Sequence, residues 1–402
     1  MARTSGTRRT RTRSGGAASA WPFVLTVFAA SRLLFLATGA LAANFLPGAE
    51  PAGDPLEPPG FLSYWAHWDG AWYSEIATEG YGARAPASTA FFPLYPMLIR
   101  FGVGVGGEPT VWGVMVSLVA TLFALYFVYR IAERLHDARA ARAATLALAF
   151  FPTAFFMNAV YTEALFLALT AGSVWAAYVR RDLLLAGILG ALAAATRNLG
   201  ILLLIPLFLE WTRNRREFGG RGLVELAPVP AGLAGYAVFL WGRFGDPLVF
   251  ARQQGEYWGR ELTGPVSTAK DAWRSAREGV QYLLDPAALF LGADPTPALD
   301  ASNALNLAFL VLFLAVAVVG LFVLPPGLSL YPFVLVLLPV LTPSPAFPLM
   351  SQPRFVLGAF PVFIVLGYLL SRNRTALVAW LLFSGALGVA LTALFTTWRW
   401  VA

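Results

Sequence analysis

From residue 21 onward the sequence returns repeatedly to uncharged apolar runs, many of them near the ~20 residues a helix needs to cross ~30 Å of hydrocarbon. Backbone placed in lipid must satisfy its own N–H and C=O groups, and runs of this length do so as helices. Composition agrees, with 58% apolar and 13% charged residues against the roughly 25% charged residues of a soluble domain. No soluble domain of ordinary size fits between the runs. The expected fold class is therefore an all-α polytopic membrane protein, one integral membrane domain over residues 20–402 with about ten or eleven transmembrane helices.

The formal charge of +7 does not imply a nucleic-acid partner. The arginines sit in short clusters beside the apolar runs, where cytoplasmic loops carry positive charge. There is no cysteine, which excludes disulfides, CxxC zinc sites and thiol nucleophiles. His67 and His136 are the two histidines, too few for a His-rich metal centre. Few lysines beside many Arg, Ala and Gly point to a GC-rich bacterial genome, hence to the bacterial cytoplasmic (inner) membrane.

Residues 1–19 carry Arg3, Arg8, Arg9, Arg11 and Arg13 with no acid, and read as a disordered basic cytoplasmic arm. The run 21–45 exceeds the apolar core of a signal peptide and is read as an uncleaved first helix. Residues 47–109, rich in Pro, Gly and aromatics, hold Asp54, Glu57, Asp69, Glu75, Glu79 and Glu108 and form the first extracytoplasmic loop. Expected helices follow at 111–129, 143–157, 163–179, 183–196, 199–211 and 223–241, with basic returns after 129, 179 and 211. The short pair meeting at Arg197-Asn198 suggests incomplete spans that bury polar groups at their junction. Residues 242–300 form a second large outer loop with amphipathic interfacial helices. Helices at 303–324, 328–341, 355–370 and 375–395 complete the set, with prolines blurring the boundaries around 325–355.

The densest cluster of reactive side chains is the segment from His67 to Tyr81. If it is helical from Asp69, then Asp69, Trp72, Tyr73, Ile76 and Gly80 share one face, a surface suited to lying on the bilayer. An acid at that helix start, among aromatics, can take a proton from a sugar hydroxyl while Trp68, Trp72 and Tyr73 stack on the sugar. The alternative is that Asp69 is an N-cap for free backbone N–H groups. Glu75 and Glu79 point to another face and read as solvated; His67 reads as a second ligand, a proton relay or a structural residue. The segment from Ala90 to Pro96 reads as a rigid aromatic turn. Arg32, Arg197 with Asn198, Glu163 at an outer hairpin tip, and Arg354 are costly insertions near apolar stretches. The arginines among them are candidates for binding a lipid phosphate through the planar guanidinium fork; the alternatives are mutual pairing, such as Glu163 with Arg197, or snorkelling to headgroups. As oxygen ligands, Asp69, Glu75 and Glu163 could hold a divalent cation, though no spacing specifies a site.

Trp68-Asp69, Ile76-Ala77, Gly80-Tyr81, Ala90-Phe91-Phe92-Pro93 and Tyr95-Pro96 resemble the first luminal loop of PIG-V-type mannosyltransferases, which add the second mannose of the GPI anchor. Tyr161-Thr162-Glu163-Ala164-Leu165-Phe166 is similar to that family's Tyr-[Ser/Thr]-Glu-[Ser/Ala]-Leu-Phe segment. Thr196-Arg197-Asn198-Leu199-Gly200 resembles its Arg-Ser-Asn-Gly segment, with Asn198 and Leu199 where the family carries Ser and Asn. Pro353-Arg354-Phe355 matches a late Arg-[Tyr/Phe] element. The resemblance runs over roughly residues 20–370. It implies a GT-C fold, a polyprenyl-phosphate mannose donor, Asp69 as general base of a single inverting displacement, and Arg197 and Arg354 as holders of the leaving phosphate. A bacterial source makes the acceptor an envelope glycolipid, glycan or protein rather than a GPI precursor. Partners are then donor, acceptor and membrane lipids, with no nucleic acid.

Two other readings share parts of this pattern. A secondary transporter also uses broken helices and buried charge, but its usual two related halves are not visible in the sequence. A lipid-binding protein without activity explains the basic arm and the aromatics, and gives no reason for Asp69 and its companions together.

Overall fold

A computed structural model describes residues 16–50, 60–344 and 347–401. Most of the basic arm, together with Asp54, Glu57 and Pro345, lies outside the described residues. Among those described, every regular element is helical.

The helices in chain order are α1 Gly16–Phe45, α2 Asp69–Thr78, α3 Leu94–Val105, α4 Pro109–Leu135, α5 Ala138–Ala149, α6 Glu163–Trp175, α7 Leu183–Thr196 and α8 Leu204–Arg213. They continue as α9 Pro228–Phe244, α10 Val249–Glu256, α11 Pro265–Gly279, α12 Thr296–Val323, α13 Pro326–Leu341, α14 Gln352–Gly358, α15 Pro361–Leu370 and α16 Arg374–Thr396. Short helical turns link several of them.

Among the described residues, five helices are long and apolar enough to cross a membrane: Ala20–Phe45, Pro109–Leu135, Arg221–Phe244, Thr296–Val323 and Arg374–Thr396. The pair α14 and α15 makes a sixth if counted as one span, bent by 87°. The remaining expected spans exist as elements but are shorter. Residues 143–157 become the end of α5, a break and a 3-10 turn Ala154–Met157, and residues 199–211 become a 3-10 turn Asn198–Leu203 followed by α8. A helix of 10–14 residues is only ~15–21 Å long, too short to cross the hydrocarbon layer alone. α5 and α6 carry the most enclosed apolar side chains, including Leu148, Phe166 and Leu167, and lie against α4, α15 and α7.

Two local expectations change. The segment from Ala90 to Pro96 is not only a turn: Pro93 precedes α3 and Pro96 lies in its first turn, where a missing N–H costs nothing because no intrahelical acceptor is available there. The α2 face of Trp72, Tyr73 and Ile76 is buried in the protein core instead of facing the bilayer. Large apolar side chains gain more from close-packed contacts than from a lipid surface. The second outer loop does form helices, and α11 lies on α12 so closely that a Cβ on Gly279 would stand 1.9 Å from the Asp300 carbonyl oxygen.

Candidate functional site: a guanidinium cluster around Phe355

α2 begins at Asp69, after Trp68 in an unusual positive-φ conformation (φ 51°). The Asp69 carboxylate caps no backbone N–H of that helix, so the N-cap reading fails. Its Oδ2 instead accepts a 2.7 Å hydrogen bond from Arg354 Nη1, 285 residues away in the chain. The Asp69 side chain keeps 21% of its surface exposed, and Oδ1 is left without a bond among the described residues.

Arg354 is delivered by α14, whose first turn is tied down by Thr153 Oγ1 donating to Pro353 O (3.0 Å) and Gln352 Nε2 donating to Val336 O (3.1 Å). Its Nε lies 3.4 Å from Glu163 Oε1. Glu163 opens α6, is 3% exposed, and accepts a 2.8 Å bond from Arg197 Nη1. The pairing of Glu163 with Arg197 is therefore real, and Arg354 joins it to Asp69 in one chain of charges. Arg197 reaches this position because α7 stops at Thr196, Arg197 is extended, and the chain folds back on α7 so tightly that a Cβ on Gly200 would meet the Ala194 nitrogen at 2.3 Å.

One ring organises the cations. The guanidinium carbons of Arg197, Arg260 and Arg354 lie 5.5, 5.5 and 5.8 Å from the centroid of Phe355, within the range of cation–π attraction. Arg354 also lies 5.7 Å from Phe156 and 5.5 Å from Tyr161. Arg260 has no acid partner within ion-pair distance among the described residues. Burial and the neighbouring Arg354 lower its pKa to about 10, so it stays charged at neutral pH. Three cations face two carboxylates, leaving one net positive charge.

Arg260 was not legible as a site residue, because arginines recur through the second outer loop. The signal beside it is the pair Tyr257-Trp258. Tyr257 meets Trp72 edge-on at 5.9 Å and Trp258 meets Phe91 at 5.6 Å, pinning that loop onto the first.

The other expected residues are placed as follows. Tyr73 is buried, with its hydroxyl 3.3 Å from Thr162 Oγ1, and burial raises its pKa. Trp72 is buried against Phe91 at 5.8 Å. Trp68 is half-buried among Phe395, Trp398 and Trp400. His67 is stacked 3.7 Å from Trp398, its Nδ1 3.0 Å from Phe395 O, and burial lowers its pKa to about 4. Asn198 is exposed and makes no side-chain hydrogen bond. Glu75 is half-buried, with its pKa raised by burial and then by Glu79; Glu79 is exposed. Arg32 is a structural clamp: it is buried and donates to Ala154 O (2.8 Å), Asn158 Oδ1 (2.7 Å) and Ala149 O (3.0 Å). Among the described residues no three His, Asp or Glu side chains gather as a metal site, and the charge between Asp69 and Glu163 is a guanidinium.

A family model described as dolichyl-phosphate-mannose-protein mannosyltransferase matches residues 87–220, which include Glu163 and Arg197 but neither Asp69 nor Arg354. No curated protein sequence matches the chain. Among solved structures, ArnT from Cupriavidus metallidurans bound to undecaprenyl phosphate is similar at 14% identity and a TM-score of 0.48, over 90% of this chain and 61% of that one. The oligosaccharyltransferase AglB from Archaeoglobus fulgidus, in complex with an inhibitory peptide and a dolichol-phosphate, is similar at 14% identity and a TM-score of 0.41, over 94% of this chain and 56% of that one. The chain thus spans less than two thirds of the length of either.

Proposed function

We propose that this protein is a membrane glycosyltransferase of GT-C type, an inverting enzyme that moves mannose from a polyprenyl-phosphate carrier to a hydroxyl group of an envelope glycolipid, glycan or protein. The observation that carries the reading is the meeting of Arg197, Arg260 and Arg354 around Phe355 beside a carboxylate with one oxygen free. A phosphate-linked sugar needs both of these things, cations for its charged end and a base for the incoming hydroxyl.

In the reaction, Asp69 Oδ1 takes the proton of the acceptor hydroxyl as its oxygen bonds to the anomeric carbon. The bond from that carbon to the phosphate oxygen breaks, and its electron pair leaves on the phosphate. A phosphate leaves without a strong acid, so the protein's main task is to hold the charge. Arg260, with no acid at ion-pair distance among the described residues, is the primary phosphate contact, and Arg354 and Arg197 hold the growing charge through their forked N–H donors. Glu163 keeps the two arginines from repelling each other. The bond from Arg354 to Asp69 fixes the base in place.

The PIG-V-type motifs and the mannosyltransferase model matched by residues 87–220 both support mannose on a polyprenyl-phosphate carrier as the donor in this proposal. The arginines at 134, 139, 142, 180, 181, 213, 215, 216 and 221 lie at the helix ends away from Asp69, which supports a cytoplasmic N-terminus and an extracytoplasmic site in a bacterial inner membrane.

The test is transfer of mannose from polyprenyl-phosphate mannose by purified protein in lipid vesicles, wild type against Asp69→Asn, with folding checked by circular dichroism. Transfer by the wild type and its loss in the folded variant is the expected result. Equal transfer by both removes Asp69 as base; none by either removes mannosyl transfer from this donor.

A further inference from the structure

A second cluster of charge has no place in the transfer reaction. A cavity of about 420 Å³ opens among Arg134, Arg181, Arg213, Glu210, Glu217 and Tyr178. It lies at the other end of the bundle from Asp69. Arg134 is in the last turn of α4, Arg213 is the last residue of α8, and Val323, which also borders the cavity, ends α12. From Glu163 to Trp175 α6 climbs about 20 Å, and the helical turn Ala176–Arg180 carries the chain further from the first site to Arg181. Both α4 and α12 are long apolar helices able to cross a membrane, so a cavity at their ends lies at the depth of lipid headgroups.

The cavity is built rather than merely basic. Arg181 is in the left-handed region, with φ 63°, a strained conformation for a residue with a Cβ. It is held there by Glu210, which is 5% exposed, and by two bonds of 3.0 and 2.6 Å to Glu217. Arg134 and Arg213 border the same space with no acid at ion-pair distance among the described residues. Three guanidiniums against two carboxylates leave one positive charge in a space large enough for a phosphate with its glycerol. Arginines kept only to set topology would be satisfied by solvent and need no such cavity.

We infer that this cavity binds the phosphodiester headgroup of one anionic phospholipid, with Arg134 and Arg213 as its donors and Arg181 as the preorganised wall. Planar guanidiniums arriving from different helix ends can donate to several oxygens of one phosphate, and the lipid's chains continue along α12, where Leu321 and Phe322 are exposed. A zwitterionic headgroup carries its own cation and gains less from the site.

The experiment titrates phosphatidylglycerol into delipidated, detergent-solubilised protein and counts retained lipid by native mass spectrometry. The wild type should retain one lipid per chain. Arg134→Gln/Arg213→Gln should weaken binding about tenfold or more, the scale of losing charge-assisted hydrogen bonds. Arg139→Gln, exposed at the same end but outside the cavity, should leave binding unchanged. Should the double variant fail to fold, Arg213→Gln alone decides by the same reading. Equal retention by the folded variant, equal retention of phosphatidylcholine, or displacement by millimolar inorganic phosphate would each overturn the assignment.

Discussion

Replacing Glu163 by Gln probes the charge cluster most directly. Glu163 is 3% exposed, 2.8 Å from Arg197 and 3.4 Å from Arg354. A unit-charge pair at about 4 Å is worth about 4 kcal/mol in an environment of effective dielectric 20, and these closer pairs somewhat more, and burial has already consumed much of that. Removing the acid leaves two enclosed guanidiniums facing each other, and breaking buried pairs of this kind costs about 3–5 kcal/mol. Gln keeps the side-chain volume and one oxygen acceptor, a neutral hydrogen bond worth about 1 kcal/mol, so the expected loss of stability is about 2–4 kcal/mol. The assay is reversible unfolding in mixed micelles by a denaturing detergent, with Arg197→Gln and the double variant completing a cycle. The second substitution should cost less in the background of the first, with a coupling of about 1 kcal/mol or more. A Glu163→Gln protein within about 0.5 kcal/mol of wild type, or strict additivity in the cycle, would refute the reasoning, since either result means that the cluster is solvated.

Asp69→Asn should lower kcat for mannose transfer about 10²- to 10⁴-fold, the usual scale of a lost general base, while single-turnover binding of the donor is retained. Arg260→Gln should raise KM for the donor about tenfold with little change in thermal midpoint, because Arg260 pairs with no acid among the described residues; an unchanged KM would remove it as the phosphate contact. His67 is buried neutral, its pKa lowered to about 4 from 6.5. The unfolded chain therefore takes up the proton first, and stability is full above pH 6.5 and falls as pH drops towards about 4; unfolding followed against pH should lose that slope in His67→Phe. Arg32→Met strands Asn158 Oδ1 and two carbonyls and should cost about 3 kcal/mol or more, with transfer per folded molecule unchanged.

The sequence alone determined the class of fold and most of its pieces. Apolar runs must become helices in lipid whatever they pack against, and so the expected 183–196 coincides with α7, 328–341 falls within α13 at Pro326–Leu341, and 375–395 falls within α16 at Arg374–Thr396. Glu163, Arg197 and Arg354 were visible because a charge beside apolar sequence is costly and seldom idle, and Asp69 because it opens a helix among aromatics in the first outer loop. Hydropathy could not decide which runs cross fully: α5 and α6 read as spans but are short helices whose exposure is set by their neighbours, whereas the shortness of the run that became α8 already suggested an incomplete span. Nor could it separate Arg32 from Arg354, both of them buried arginines. Arg32 ends on carbonyls within one knot of helices, whereas Arg354 ends on a carboxylate 285 positions away. Arg260 became a site residue only when Tyr257 and Trp258 packed on Trp72 and Phe91. A side chain's cost in lipid is a property of the residue and is written locally, but its partner is fixed by long-range packing, which the linear chain does not encode at any single position.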